Sequence, residues 1–286
     1  MRLFTFHSGS GLSVGALAGD GQYVPLPFGS ILELIAAGAA GLETARAALA
    51  RGPRAALAGI RLAAPIPEPR RNIFCLGWNY ADHSKEAAAT RGKLEPKLPG
   101  RPIFFTKATT SVLAPEAPIP AHADATQQLD WEVELGVVLG TGGVDIPRER
   151  ALAHVFGYTV INDVSARDVQ TGHGGQFFKG KSLDGTCPMG PWIVTADEVP
   201  EPQRLRILSR VNGVTKQDGS TANMIFDIAS TVEWLSKGMT LLPGDIIATG
   251  TPAGVGFART PPEFLRAGDV VECEVEGLGL LRNPVE

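Results

Sequence analysis

Glu132 and Glu134 stand one residue apart in the run Leu129-Asp130-Trp131-Glu132-Val133-Glu134-Leu135-Gly136-Val137-Val138-Leu139. The run is rich in Val, Leu and Trp and ends in Gly140-Thr141-Gly142-Gly143, which predicts one β-strand closing in a turn. Strand side chains alternate, so the two carboxylates share one face and Trp131, Val133 and Leu135 share the other. Neighbouring carboxylates repel unless a cation lies between them, and a hard divalent ion with oxygen ligands is the simplest such cation. The competing reading is a solvated strand face. Asp163 ends a second apolar run that starts at Val155, and it is the candidate third carboxylate. His83 and Glu86 are at i and i+3, neighbours on a helical face. A carboxylate beside an imidazole orients it and raises its pKa, as a general base requires; the competing reading is an ordinary surface pair.

Other polar groups are weaker signals. Lys179 and Lys181 flank Gly180 in an apolar context; the competing readings are exposed lysines and a phosphate loop, whose G-x-x-x-x-G-K-[ST] spacing is read as failing at Gln176. Thr251-Pro252-Ala253-Gly254-Val255-Gly256 is a glycine-rich loop whose N–H groups, with the Thr251 hydroxyl, are suited to holding a carboxylate. Arg167 and Asp168 are read as a structural ion pair. Glu272, Glu274 and Glu276 alternate as well, but no acid or base follows them, so that strand is read as a solvated face.

These groups need elements to position them. Asn72 to Gly77, Pro102 to Lys107, Val155 to Asp163 and Cys187 to Val194 read as strands, and Leu205 to Val214 reads as a hairpin about Asn212-Gly213. Ile225 to Lys237 has helical periodicity. Asn79 or Asp82 is placed to cap the helix carrying His83. The polar segment 87–100, with Pro96 and Pro99, is suited to a lid. Nearer the N-terminus, Met1 to Phe6 and Leu12 to Ala18 are expected to pair as strands. Ser30 is expected to cap one helix, and the Ala-rich stretch Leu42 to Ala58 to form another, ended near Gly52-Pro53. Pro65-Ile66-Pro67-Glu68-Pro69 is a stiff connector. It divides a small α+β unit, 1–68, from a main domain, 69–286.

A net charge of -4 gives no footprint for nucleic acid or an anionic membrane surface. The apolar segment Ile31 to Ala50 is broken by Glu33, Glu43 and Arg46, so no membrane span is expected. Three scattered cysteines, Cys75, Cys187 and Cys273, fit a reducing compartment, and a cytoplasmic protein is expected.

Taken in order, five motifs resemble the fumarylacetoacetate hydrolase superfamily, in its longer branch with an N-terminal domain. They are Gly77-Trp78-Asn79-Tyr80-Ala81-Asp82-His83-Ser84-Lys85-Glu86, Asp130-Trp131-Glu132-Val133-Glu134-Leu135, Asn162-Asp163-Val164-Ser165-Ala166-Arg167-Asp168, Lys179-Gly180-Lys181-Ser182 and Thr249-Gly250-Thr251-Pro252-Ala253-Gly254-Val255-Gly256. The resemblance implies an α+β, mainly β fold, a mixed β-sandwich or β-roll, in a homodimer. It implies Mg2+ or Mn2+ on Glu132, Glu134 and Asp163, a water-activating pair of His83 and Glu86, and Lys181 balancing the developing oxyanion. Thr251, Gly250 and Tyr80 are expected to bind substrate. The expected reaction is hydrolysis of a C–C bond in a 2,4-dioxo acid, giving a 2-oxo acid and a carboxylic acid. Oxaloacetate decarboxylation, hydration, isomerisation and lyase chemistry are the alternatives within the family, and a non-catalytic ligand sensor is the alternative outside it.

Overall fold

The computed structural model describes residues 1–9, 11–19, 21–82, 86 and 99–286. Seventeen described strands form the frame: β1 Arg2–Ser8, β2 Gly11–Gly19, β3 Gln22–Pro25, β4 Ala55–Ala56, β5 Ile73–Gly77, β6 Ile103–Lys107, β7 Val112–Leu113, β8 Leu129–Asp130, β9 Val133–Leu139, β10 Val155–Asn162, β11 Ser165–Ala166, β12 Cys187–Thr195, β13 Arg206–Val211, β14 Val214–Ser220, β15 Ile246–Ala248, β16 Val270–Val275 and β17 Gly279–Pro284. The main sheet runs β4-β3-β2-β1-β12-β10-β9-β15-β5-β6, with β7 added beside β12. It is mixed: β15 pairs antiparallel with β9 but parallel with β5. A second sheet runs β14-β13-β16-β17. The fold is therefore mainly β with few helices, as the resemblance implied.

Alternation along β9 divides the core. Val133, Leu135, Val137 and Leu139 join Ile207, Val271 and Val275 of the second sheet and Val232 of the helix Ile228–Ser236. On the opposite face, Ile161 and Met189 pack with Ile31, Leu34 and Ala45 of the N-terminal helices Ile31–Ala36 and Gly38–Arg51. Ser30 caps the first of these helices by accepting from the Glu33 N–H, and Gly52 ends the second. The Asn212-Gly213 turn has φ of 52° and 76°, as a tight hairpin turn requires. Strand β1 hydrogen-bonds directly to β12, placing Arg2 opposite Val194, so the N-terminal strands extend the main sheet. The division at 68/69 remains a proposal.

One local expectation is corrected. The strand predicted over Leu129 to Leu139 is split at Trp131 and Glu132, because Asp130 and Glu132 bond to side chains and loops far away in sequence. The Asn79 amide donates to Phe226 O and Thr249 O at 3.0 and 2.8 Å and accepts from Phe226 N at 2.8 Å, tying three segments together.

Candidate active site

The pairing of β9 with β10 brings the acids together. Ile161 lies opposite Glu134 and Asn162 opposite Val133. One step further, the Asp163 N–H donates to the Glu132 carbonyl at 2.8 Å. The three carboxylates are buried, and one oxygen from each lies within 4.8 Å of the others. Burial, followed by the nearby Asp163 and Glu132 charges, pushes the Glu134 carboxyl well above the usual range. Three converging carboxylates are oxygen donors of the kind a hard divalent cation takes, so these residues fit one.

Cations surround the trio. Lys181 Nζ lies 2.5 Å from Glu132 Oε2 and 2.8 Å from Asp163 Oδ2. Burial opposes its charge, but Asp163 and Glu132 outweigh burial and raise its pKa, so it stays an ammonium. Lys107, fully buried at the end of β6, reaches Asp163 Oδ1 at 2.8 Å and donates to Val164 O at 3.0 Å. Arg167 donates from Nη2 to Glu132 Oε1 at 2.6 Å and from Nε to Asp130 Oδ2 at 2.8 Å. The reading of Arg167 with Asp168 as an ion pair is thus corrected: Asp168 instead accepts from Thr126 and from the Gln127 N–H. The competing reading of the two lysines as exposed holds for Lys179 alone, since Lys181 is buried. Residues Gly175 to Ser182 do spell the spacing G-x-x-x-x-G-K-S. The phosphate-loop reading fails on context, since the four-residue helix Phe178–Lys181 lies inside the motif instead of starting at its end, and Lys181 is committed to two carboxylates.

The glycine-rich loop holds carboxylates of the protein itself. Gly250 N–H donates to Glu134 Oε2 at 2.7 Å. Gly254 N–H donates to both Glu86 oxygens, at 3.1 and 3.0 Å. Gly256 N–H and Phe257 N–H donate to Asp130, at 2.6 and 3.1 Å. Gly250 has φ of +95°, and a Cβ there would lie 2.8 Å from Asn79 Cβ, so glycine is required. A Cβ on Gly256 would meet Glu263 O at 2.1 Å and Asp130 Oδ1 at 2.7 Å.

A cavity of about 430 Å³ opens onto Glu132 and Glu134 of the trio. Glu132, Glu134, Arg167, Lys181 and Thr251 line it, together with Gln128, Gln170 and several aromatic rings. Thr251 donates its hydroxyl to Val133 O at 2.9 Å and accepts from Gln217 Nε2 at 2.7 Å. Tyr80 and Gly250 are not part of the lining; Tyr80 is buried, and burial followed by the Glu134 charge raises its phenol pKa. His83 lies outside the described residues, as does most of the expected lid. Asp130, Lys107 and Arg167 went unrecognised as site residues. Alternation along β6 offered a signal for Lys107, since it shares a strand face with Phe105, which lines the cavity.

The comparisons agree with this geometry. The family model "Fumarylacetoacetate (FAA) hydrolase C-terminal" matches residues 72–286. The chain is 49% identical over 229 residues to oxaloacetate tautomerase YisK of Bacillus subtilis, covering 80% of this chain and 74% of that one. It is 42% identical over 258 residues to the mitochondrial oxaloacetate tautomerase FAHD2A of Bos taurus, covering 90% and 79%. A solved structure of fumarylacetoacetate hydrolase (EaFAH) from Exiguobacterium antarcticum superposes with a TM-score of 0.86 at 44% identity, over 100% of this chain and 99% of that one. A 2-hydroxyhepta-2,4-diene-1,7-dioate isomerase from Mycobacterium marinum gives 0.77 at 33%, over 100% and 98%. With the match beginning just before β5 and running to the last residue, the chain is an enzyme of the fumarylacetoacetate hydrolase family.

Proposed function

We propose that this chain is a divalent-metal-dependent keto–enol tautomerase of 2-oxo dicarboxylic acids, with oxaloacetate as its reference substrate. The carrying observation is the buried trio Glu132, Glu134 and Asp163 with Lys181 and Arg167 beside it, of which Glu132, Glu134, Lys181 and Arg167 line one cavity. Four buried acids (Asp130, Glu132, Glu134, Asp163) face three buried bases (Lys107, Arg167, Lys181), a balance of one negative charge when all are ionised. A divalent ion turns that balance to one positive charge, which favours an anionic substrate. The names of relatives at 49% and 42% identity support the same reading.

A divalent cation on the trio, Mg2+ or Mn2+, would supply Lewis-acid polarisation of a 2-oxo oxygen. Lys181, held as an ammonium, offers positive charge to the enolate oxygen and is not the base. Arg167, fixed by Asp130 and Glu132, lends a second fixed positive charge beside the substrate carboxylate. Proton transfer at C3 is assigned to the His83–Glu86 pair, with Glu86 anchored by the Gly254 N–H. Thr251 holds the β9 backbone beside the trio and lines the substrate cavity. A cytoplasmic homodimer completes the proposal.

The second reading is C–C hydrolysis of a 2,4-dioxo acid, favoured by the likeness to the Exiguobacterium enzyme. Both reactions pass through an enol or enolate, so products distinguish them. Proton NMR of oxaloacetate and of an acylpyruvate, each with enzyme and Mn2+, is the test. Tautomerisation predicts faster enol decay without pyruvate or CO2, and an intact acylpyruvate. Cleavage of the acylpyruvate to pyruvate and an acid at a comparable rate would establish the hydrolase instead. Pyruvate and CO2 from oxaloacetate would establish a decarboxylase.

A further inference from the structure

The cavity is larger and more apolar than a four-carbon diacid requires. Its volume, about 430 Å³, is in the range of pockets that enclose drug-sized ligands. Its polar lining is Glu132, Glu134, Arg167 and Lys181 with Gln128, Gln170, Thr171 and Thr251. Its apolar lining is Phe105, Phe177, Phe257 and Phe264, with Trp78 and Leu76. Several of these rings are fixed in place. Phe177 meets Phe105 edge-on, with centroids 5.6 Å apart and planes at 74°. The Phe105 centroid lies 5.1 Å from Lys181 Nζ, and the Phe257 centroid lies 4.4 Å from the Arg167 guanidinium carbon. The aromatic surface therefore adjoins the cationic groups. A carboxylate pushed against the rings loses water, whereas an aromatic ring gains edge and face contacts.

We propose that this site also takes 2-oxo acids bearing an aryl group on C3, with the 2-oxo acid head at the trio and the ring among the phenylalanines. The reaction is the same proton shift. The C3–H bond breaks, its electron pair becomes the C2=C3 double bond, and the 2-oxo oxygen gains a proton; the reverse restores the ketone, and no oxidant or co-reactant enters. An aryl substituent suits this step because the enol is conjugated with the ring and planar, a shape that slides between edge-on aromatic faces. The inference rests on the keto–enol reading above and extends its substrate class.

The test follows the decay of enol-phenylpyruvate and enol-oxaloacetate in parallel with the full chain and Mn2+, each against an enzyme-free control. Phenylpyruvate is expected to be ketonised with a kcat/KM within about tenfold of that for oxaloacetate, and to inhibit oxaloacetate turnover competitively. Phe177 is half-buried at the cavity wall, so Phe177→Ala is expected to leave the fold intact. It should lower the phenylpyruvate-to-oxaloacetate ratio of kcat/KM by about three- to tenfold, mainly through KM, with Phe177→Leu in between. Turnover of oxaloacetate with neither turnover of phenylpyruvate nor competition by it overturns the aryl inference and leaves the keto–enol reading standing. An unchanged ratio in Phe177→Ala overturns the placement of the ring. Turnover of neither enol overturns the keto–enol reading and this inference with it.

Discussion

Asp130→Asn separates the charge of a buried carboxylate from its shape. Asp130 is fully buried. Its Oδ1 accepts from the Trp131 and Gly256 N–H groups at 2.8 and 2.6 Å, and its Oδ2 accepts from Arg167 Nε and Phe257 N–H at 2.8 and 3.1 Å. An asparagine amide presents only one acceptor oxygen. Whichever way it turns, its NH2 group faces two donors, and two hydrogen bonds become donor–donor contacts. Breaking a buried pair on one side costs about 3–5 kcal/mol. Arg167 keeps Glu132 at 2.6 Å, which places the expected loss near the low end, about 3 kcal/mol. For a chain of this length that lowers Tm by roughly 6–12 °C. Urea unfolding with an unchanged m-value, run beside calorimetry, measures it. Glu274→Gln, which removes a partly exposed pair with Arg210, serves as the control and should cost at most about 0.5 kcal/mol. An Asp130→Asn loss below about 1 kcal/mol, the scale of one ordinary hydrogen bond, would refute the four-bond account.

Lys181→Met keeps an unbranched side chain, one atom shorter, and removes its charge from between Glu132 and Asp163; kcat should fall by about 10²–10³, and a value within threefold of wild type would end its assignment to the enolate oxygen. Gly250→Ala must adopt φ near +95° against Asn79 and should cost about 1–3 kcal/mol in urea unfolding, since the N–H that holds Glu134 is displaced. Addition of Mn2+ to EDTA-treated protein at about 100 times its Kd should stabilise the fold by about 2.7 kcal/mol. Scanning calorimetry would read this as a higher Tm, and Asp163→Asn should lose most of the rise.

The acid trio was legible because it obeys strand periodicity. Glu132 and Glu134 alternate with Val133, and Asp163 sits one residue past a strand whose register with β9 puts it beside Glu132. The Ser30 cap, the Asn212-Gly213 turn and most strands also follow from local composition. What holds the trio was not legible. The Gly250, Gly254 and Gly256 N–H groups reach carboxylates 116, 168 and 126 residues away, so the loop read as free to take an outside carboxylate. Lys107 reads as the polar end of a strand, and its burial is set by Asp163 arriving from another strand. Arg167 has an acid next to it in sequence, which drew the local pairing with Asp168; the fold gives it Asp130 and Glu132 instead. The break at Trp131 and Glu132 has the same origin, because the partners of Asp130 lie in loops distant in the chain.

The most direct test of the central claim is the Mn2+ dependence of enol-oxaloacetate decay in wild type and in Glu134→Gln. Glutamine retains an oxygen to accept the Gly250 N–H, so the substitution removes the charge of Glu134 while keeping the bond that positions it. The account predicts rapid ketonisation by wild type, abolished by EDTA and restored by Mn2+, and a Glu134→Gln protein that folds but needs at least about tenfold more Mn2+ to reach a much lower rate. Wild-type decay that matches the enzyme-free control, or that persists unchanged in EDTA and in Glu134→Gln, would contradict it.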